Sequence, residues 1–222
     1  DQERALWPEW YDLPALKRIK ADIGYRDWSS LYQQNPTPDE GTFFKREYFE
    51  FFDPKKLPAI HKYTTGDFAV TDGDGDYTEI ATHGYGYGTL YLGLDGWSGQ
   101  TSADVWIERL IDQIKAHKPL CFFGESGPIR RSIEPFLTRR MRERSGYSRM
   151  EWLVRGSDKA TSARPLQAMA AMGKVKIADT DYGHHLLTQL LQFPAGKHDD
   201  AVDMAALMGM AIDQAHPAIA AS

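Results

Sequence analysis

The amino-acid sequence predicts an α/β domain in which helices flank a mixed β-sheet. Three strand-like segments come first, then helical and strand-like segments alternate, and a long helix follows, an order typical of α/β proteins with a mixed sheet. Of the 222 residues, 42% are hydrophobic and 26% are charged, which is the composition of an ordinary globular protein. The length suffices for one good-sized domain and falls short of two full ones.

Each predicted element rests on the spacing of its apolar residues or on the turns beside it. The first three strands are predicted at 63–70, 79–84 and 89–94, with a Gly/Tyr turn at 85–88. Residues 101–117 place their apolar side chains on one helical face. The apolar run at 120–123 is typical of a buried parallel strand, and the helix before it suits a right-handed crossover. The remaining predictions are helices at 130–144, 159–172, 184–191 and 199–214 and strands at 150–154 and 174–177.

Residues 1–55 differ in composition from the rest of the chain and are predicted to form an arm or linker. They carry three tryptophans and five prolines. Short helices are predicted at 13–24 and 28–34, whereas the Pro-rich stretch at 35–41 cannot continue a helix and is predicted to be an extended connector. The main domain is then predicted at 56–215, with 216–222 as a tail.

Composition and missing motifs exclude several classes of protein. Cys121 is the only cysteine, which excludes an internal disulfide and a multi-cysteine zinc site and favours a reducing, cytoplasmic setting. No apolar stretch reaches the ~20 residues that a membrane span needs, and no basic-then-apolar segment opens the chain, so we expect no membrane and no secretory signal. The phosphate-binding pattern Gly-x-x-x-x-Gly-Lys-[Ser/Thr] is absent, so ATP binding is not expected.

Five acidic residues form the candidate site: Asp67, Glu125, Asp199, Asp200 and Asp203. Asp67 lies inside a strand, where a carboxylate is costly to bury unless it is paired or holds a metal. Glu125 follows an apolar strand, and if the two strands are neighbours their carboxylates meet at the edge where open α/β sheets bind ligands. Asp203 shares a helix face with Asp199 and Asp200, and it lies within an otherwise apolar helix.

Carboxylates drawn from two strands and one helix suit a site for two divalent ions. Mg²⁺ and Mn²⁺ prefer carboxylate and water oxygens, and two such ions ~3.5–4 Å apart can assist phosphodiester hydrolysis. Four of the acids also have a structural interpretation: Asp199 or Asp200 as a helix cap, Glu125 as a turn residue, and Asp67 as a structural acid. Asp203 is harder to explain in this way, since it lies within an otherwise apolar helix face. One metal site would explain all of them together.

The acidic segment at 72–76, Asp-Gly-Asp-Gly-Asp, resembles the opening of a calcium-binding loop. An EF-hand requires glycine at the sixth loop position and glutamate at the twelfth, but Tyr77 and His83 stand there. We therefore predict a polar turn between strands, with Asp74 or Asp76 as candidate groups in the outer shell of a metal site.

Positive charge is concentrated between residues 130 and 155. This stretch contains eight arginines and three glutamates, a local excess of +5 in a chain whose net charge is −5. Such a stretch is able to contact DNA phosphates, and the candidate DNA-binding residues are Arg130, Arg131, Arg139, Arg140 and Arg142. The alternative is a solvated helix face without a ligand.

Several motifs together resemble one protein family. Residues 31–36, Leu-Tyr-Gln-Gln-Asn-Pro, and 41–44, Gly-Thr-Phe-Phe, are similar to the connector that leads into the nuclease domain of phage large terminases. The strand 66–69, Gly-Asp-Phe-Ala, the segment 76–78, Asp-Tyr-Thr, and the terminal 198–203, His-Asp-Asp-Ala-Val-Asp, also resemble that family. The resemblance covers residues 7–214.

The resemblance implies an RNase H-like fold, whose strand and helix order matches the one predicted above, and a two-metal endonuclease that cuts concatemeric viral DNA during genome packaging. By motif match, Asp67 and Glu125 take the strand positions of the metal site. Asp200 and Asp203 take the helix position, with the adjacent Asp199 as a further candidate ligand. Lys159 resembles a recurring basic residue near the scissile phosphate.

The partners implied by the resemblance are double-stranded DNA, the ATPase half of the same protein, the portal and the small terminase subunit. The setting would be the host cytoplasm, for a phage or prophage protein. Because the ATP-binding pattern is absent, we expect the chain to be an isolated C-terminal half, with residues 1–42 as the remnant of the connector.

Two rival interpretations remain open. Another RNase H-like nuclease, such as a junction resolvase or transposase core, would share the acids but is not expected to carry the Gln-Gln-Asn-Pro connector. A module that docks on DNA or on the portal ring without cutting is permitted by the basic stretch and the aromatic arm. The full acid set argues against that module.

Overall fold

The computed structural model describes residues 5, 7–32, 43–69, 77–156 and 158–215. Contacts divide the chain into two compact units, Asp1–Asp39 and Glu40–Ser222. The predicted turn at 72–76 and the connector at 35–41 lie outside the described residues. No helix within the described ranges is long and apolar enough to cross a membrane.

In its described part, the first unit contains one helix, α1 (Leu13–Leu31), where the sequence predicted two short ones. Asp12 caps the helix by accepting a hydrogen bond from the amide of Ala15 at 2.8 Å, and Pro14 lies in the first turn, where it costs no hydrogen bond. The residues between the two predicted segments include no proline that would break the helix. The backbone therefore continues through them.

The described residues of the second unit form seven strands and five α-helices. The strands are β1 (Glu50–Phe52), β2 (His61–Asp67), β3 (Thr78–Gly86), β4 (Thr89–Gly99), β5 (Cys121–Glu125), β6 (Arg149–Leu153) and β7 (Val175–Ala178). The helices are α2 (Ala103–His117), α3 (Pro128–Arg144), α4 (Lys159–Ala171), α5 (Asp181–Gln192) and α6 (Asp200–Ala215). Every strand and helix predicted after residue 60 is present. Their ends shift by at most three residues, except that β4 continues five residues beyond its predicted end.

The seven strands form one mixed sheet in the order β1-β7-β4-β3-β2-β5-β6. Strands β2, β3 and β4 are antiparallel neighbours, and the other pairs are parallel. The predicted α/β fold with a mixed sheet is confirmed. Helix α2 connects β4 to β5, as the predicted crossover required.

The N-terminal boundary of this unit differs from the predicted one. Phe44 and Phe49 are buried in the core, and β1 pairs in parallel with β7. Residues 43–55 therefore belong to the sheet unit, although the predicted arm extended to residue 55. The prolines suggested a linker, but the phenylalanines among them supply apolar surface that the core buries.

Helices cover both faces of the sheet. Helices α2 and α3 pack on one face against side chains such as Ile80 and Phe122. Helices α4, α5 and α6 pack on the other face against side chains such as Ala81 and Phe123. Because side chains alternate along a strand, Asp67 and Glu125 are directed to the face that α6 covers.

Candidate active site

Four of the predicted acids line one cleft of about 340 Å³. Asp67 is the last residue of β2 and Glu125 is the last residue of β5. These strands are parallel neighbours, with Gly66 opposite Gly124, so their carboxyl ends deliver both side chains to the same edge. Asp200 and Asp203 reach that edge from the first turn of α6.

The first turn of α6 explains why two aspartates are tolerated there. Asp200 and Asp203 are both buried, which is costly for carboxylates in an apolar setting. The positive end of the helix dipole lowers that cost for anions in the first turn. The amide of Asp203 donates to the Asp199 carbonyl at 2.9 Å, so Asp199 stands just before the helix.

Two basic side chains lie among these carboxylates. Arg155 Nη1 donates to Glu125 Oε2 at 3.1 Å, and Arg155 Nη2 lies 2.5 Å from Asp203 Oδ1. Lys159 Nζ lies 2.7 Å from Asp199 Oδ1 and 2.9 Å from Asp203 Oδ2. The predicted basic residue Lys159 is therefore next to the acids, with Arg155 as a second cation.

Asp67 shows the electrostatic effect of this crowding. Burial and then the charge of Asp203 raise the pKa of Asp67 to about 8, while Arg155 opposes that rise. Glu125 and Asp200 contribute in the same direction as Asp203. Without further positive charge, Asp67 is therefore mostly protonated at neutral pH.

The donor chemistry of the cleft fits Mg²⁺ or Mn²⁺, since its acidic ligands offer only carboxylate oxygens. The present positions of the side chains do not bring three ligands together. Among the residues that the structure describes, no three His, Cys, Asp or Glu side chains are grouped so that they could hold one ion. Arg155 and Lys159 occupy oxygens of Glu125, Asp199 and Asp203 instead.

A buried polar network lies behind the acids. Glu79 on β3 stands directly opposite Asp67 on β2 and is fully buried. Its two oxygens accept hydrogen bonds from Tyr182 Oη and from His185 Nε2, each at 2.9 Å. Burial would lower the pKa of His185, but the hydrogen bond and charge of Glu79, with the charge of Asp200, outweigh it and raise that pKa.

The network extends to the start of α6. Gln189 lies one turn after His185 on α5, and its Oε1 accepts a hydrogen bond from the backbone amide of Ala201 at 2.9 Å. The Glu79 side chain is thus connected through α5 to the backbone that carries Asp200. This connection fixes the first turn of α6 relative to β3.

Gly96 makes room for the tyrosine of this network. A Cβ at that position would lie 2.0 Å from the ring of Tyr182, a distance that no packed side chain tolerates. Without it, the ring lies against β4 and the hydroxyl reaches Glu79. Glycine is therefore required at position 96 by a close approach.

The arginines predicted to bind DNA lie on α3, which packs on the face of the sheet opposite α6. Several are paired: Arg130 with Glu134 at 2.9 Å, Arg139 with Glu143 at 2.8 Å, and Arg140 with Glu108 and Glu143. Arg131 and Arg142 are exposed, and neither makes an ion pair with another described residue. The local excess of positive charge is thus partly neutralised by acids of α2 and α3.

Sequence reasoning missed Arg155, Glu79 and His185. A signal existed for Glu79. Like Asp67, it is a carboxylate within a strand segment, Glu79-Ile80-Ala81, where burial is costly unless the charge has a partner. Arg155 was counted only as the end of a basic stretch, and nothing in its neighbours points to the acids. His185 has no sequence signal beyond its place in an amphipathic helix.

Comparisons with known proteins show what the fold is similar to. No protein-family model matches the chain, and no curated protein matches it. Among solved structures, the manganese-soaked, inhibitor-bound terminase nuclease domain of human cytomegalovirus superposes with a TM-score of 0.58 at 12% identity. That match covers 79% of this chain and 97% of the viral domain.

Phage structures match as well. The large terminase nuclease of the thermophilic phage G20c with bound magnesium has a TM-score of 0.56 at 12% identity, covering 78% of this chain and 98% of that one. The large terminase of a second thermophilic bacteriophage, in complex with ADP, has a TM-score of 0.55 at 12% identity. This match covers 90% of this chain and 52% of the phage chain, so the present chain spans about half of that protein.

These identities are low, and the similarity therefore concerns the fold. Seven strands in a mixed sheet, with helices on both faces, match the RNase H-like nuclease domains of large terminases. The chain has the fold of terminase large-subunit nuclease domains, as the sequence resemblance predicted.

Proposed function

We propose that this chain is a DNA endonuclease that requires Mg²⁺ or Mn²⁺ and cuts phosphodiester bonds without a strong sequence preference. The observation that carries the proposal is the cleft in which carboxylates from two strands and one helix converge. Carboxylates with no sulfur or nitrogen ligand suit hard divalent ions. The terminase folds matched above include one with bound magnesium and one soaked with manganese.

Each residue has a role in this proposal. Asp67, Glu125, Asp200 and Asp203 would hold the two ions, with Asp199 as a further candidate ligand. Bound divalent ions supply a nucleophilic water and stabilise the leaving oxyanion. Lys159 stands at the mouth of the cleft, with half of its side chain exposed, where its ammonium group is able to hold the scissile phosphate.

DNA contacts outside the cleft would come from Arg130, Arg131, Arg139, Arg140 and Arg142 on α3. The helix begins three residues after Glu125, so its first turn lies beside the acids. At 1.5 Å per residue, Arg142 is ~20 Å further along the helix. The exposed pair Arg131 and Arg142 is best placed to contact phosphates, because the other three carry ion pairs.

By the same resemblance, we propose that the nuclease cuts concatemeric viral DNA during genome packaging in the host cytoplasm. Its partners would be double-stranded DNA, an ATPase half of the same protein, the portal and the small terminase subunit. A junction resolvase or transposase core would share the fold and acids, and would be separated from this proposal by a preference for branched DNA or for transposon ends.

The proposal is tested by incubating the purified chain with supercoiled plasmid in Mg²⁺, in Mn²⁺ and in excess EDTA. We expect nicking and linearisation only with the metals. Asp67→Ala and Glu125→Ala should each reduce the cutting rate by at least about 100-fold, since metal stabilisation of the transition state is worth several kcal/mol. The rate should not change in Asp104→Ala, which removes an exposed carboxylate from the first turn of α2.

Undiminished cutting in EDTA would exclude the metal mechanism. Absence of cutting by the wild-type chain in either metal, combined with retained DNA binding, would favour a docking module that does not cut. Circular dichroism of both alanine variants shows whether a loss of cutting reflects a loss of fold. We expect both variants to fold, because Asp67→Ala removes an acid whose charge burial disfavours, and because Arg155 keeps Asp203 as a partner in Glu125→Ala.

A further inference from the structure

Arg155 is the most enclosed cation of the acid cleft. Only 8% of its side chain is exposed, and its guanidinium contacts two carboxylates that come from different elements. Nη1 donates to Glu125 of β5, and Nη2 lies against Asp203 of α6. The planar guanidinium presents several N–H groups in fixed directions, which suits it to bridge two carboxylates.

The contacts of Asp203 show that the cations and a metal ion need the same atoms. Oδ1 of Asp203 lies 2.5 Å from Arg155, and Oδ2 lies 2.9 Å from Lys159. Both oxygens are therefore engaged. A divalent ion bound by Asp203 therefore competes with Arg155 for Oδ1 or with Lys159 for Oδ2. An ion bound through Asp203 Oδ1 and Glu125 Oε2 would take the two oxygens that Arg155 holds.

Arg155 differs from Lys159 in ways that single it out. The side chain of Lys159 is 52% exposed and has a second partner, Asp199, outside the four acids of the cleft. Both partners of Arg155 belong to the cleft itself. Buried carboxylates without a counter-charge are costly, so this arginine stabilises the site while no metal is bound.

We propose that Arg155 is the resident cation of this site: it bridges Glu125 and Asp203 in the metal-free protein and releases both carboxylates when a divalent ion binds. The release depends on the proposed metal-dependent function. The stabilising role without metal does not depend on it. Divalent-ion affinity is then lower than the carboxylates alone would allow, because each binding event breaks two ion pairs.

The test compares wild-type protein with Arg155→Gln, which keeps a polar side chain and removes the charge. Electron paramagnetic resonance of free Mn²⁺ measures affinity, and thermal unfolding with and without Mn²⁺ measures stability. We expect Arg155→Gln to bind Mn²⁺ on the order of tenfold more tightly, since a competing positive charge is gone. In EDTA the variant should unfold several degrees below wild type, and saturating Mn²⁺ should close most of that gap.

A matched control is provided by Arg144, which also bridges two carboxylates, those of Glu108 and Asp112. These acids belong to α2, on the other face of the sheet. Arg144→Gln should leave Mn²⁺ affinity at the wild-type value, and any loss of stability should be equal with and without Mn²⁺. An Arg155→Gln variant that binds Mn²⁺ equally or more weakly would overturn the proposal.

A second measurement uses the wild-type protein and remains informative if Arg155→Gln does not fold. The Nε–H resonance of Arg155, assigned by its loss in Arg155→Lys, should shift saturably when Mg²⁺ is added. Metal binding with an unmoved resonance would overturn the release of Arg155 and leave the proposed function standing. If neither Mn²⁺ nor Mg²⁺ binds the wild type, the proposed function fails, and release fails with it.

Discussion

Replacing Glu79 with alanine removes the acceptor of two buried hydrogen bonds at once. Glu79 is fully buried, and it accepts from Tyr182 and His185 at 2.9 Å each. A hydrogen bond to a charged group contributes roughly 1.5–3 kcal/mol, and removing one partner of a buried ion pair costs about 3–5 kcal/mol. Because a third of the His185 side chain is exposed, we expect a loss near the lower end, about 3 kcal/mol.

Urea unfolding in EDTA, followed by circular dichroism, measures that loss. Tyr182→Phe deletes one of the two hydrogen bonds and should cost about half as much as Glu79→Ala. Glu47→Ala is the control, because Glu47 is exposed and its contact with Lys45 is long, at 3.8 Å; it should change stability by less than ~0.5 kcal/mol. A loss below ~1 kcal/mol in Glu79→Ala would show that water or a rearranged side chain replaces the carboxylate, and would refute the assigned role.

The same variant should alter the dependence of stability on pH. Glu79 raises the pKa of His185 in the folded protein, after the opposing effect of burial. The stabilisation is therefore complete below the ordinary pKa of histidine, and it is lost as the pH rises through the higher value in the folded state. In Glu79→Ala the contribution of His185 to this decrease should disappear, while the contribution of Asp67 remains.

Three further changes test other parts of the structure. In EDTA, the free energy of unfolding of the wild type should fall as the pH rises from about 4 to about 8, by at most ~1.4 kcal/mol per pH unit. The reason is that burial and neighbouring carboxylates raise the pKa of Asp67 to about 8. Asp67→Asn should flatten that fall in urea titrations. Replacing both Arg131 and Arg142 with alanine should reduce the slope of log DNA affinity against log salt concentration by about 1.8, at about 0.9 per lost phosphate contact. Arg139→Ala, which removes an ion-paired arginine, should change the slope less. An unchanged slope in the double variant would assign this face to a protein partner. Gly183→Ala should fail to fold or lose several kcal/mol in the same urea assay, since its Cβ would lie 1.9 Å from a backbone carbonyl oxygen; near-wild-type stability would show that α5 can shift freely.

The convergence of Asp67, Glu125, Asp200 and Asp203 on one cleft was predictable, because each acid stands in a local sequence pattern that marks a strand or a helix; their role as metal ligands stays a prediction. Asp67 lies inside a predicted strand, Glu125 follows an apolar run, and Asp203 interrupts an apolar helix face. The cost of burying a charge makes such positions informative without any knowledge of the fold. Alternate side chains of a strand share one face of the sheet, and β2 and β5 pair in parallel. Asp67 and Glu125 therefore meet at one edge.

The residues that escaped prediction depend on contacts between distant segments. Arg155 meets Glu125 across 30 positions of sequence, and Glu79 meets His185 across 106. Strand β1 has three residues and pairs with β7 more than a hundred positions away. Such short or long-range features leave no periodic signal in a single sequence.

The two cations of the cleft come from one short segment, and under the proposed function this arrangement would couple metal binding to DNA binding. Arg155 and Lys159 flank the start of α4, whereas the acids come from β2, β5 and α6. If a divalent ion displaces Arg155, the freed guanidinium lies at the cleft where a DNA phosphate would approach. Metal should then strengthen DNA binding, and linkage requires that DNA strengthen metal binding by the same factor. Arg155 would then take part in both equilibria, because the carboxylates that it leaves hold the metal and its guanidinium becomes available to the phosphate.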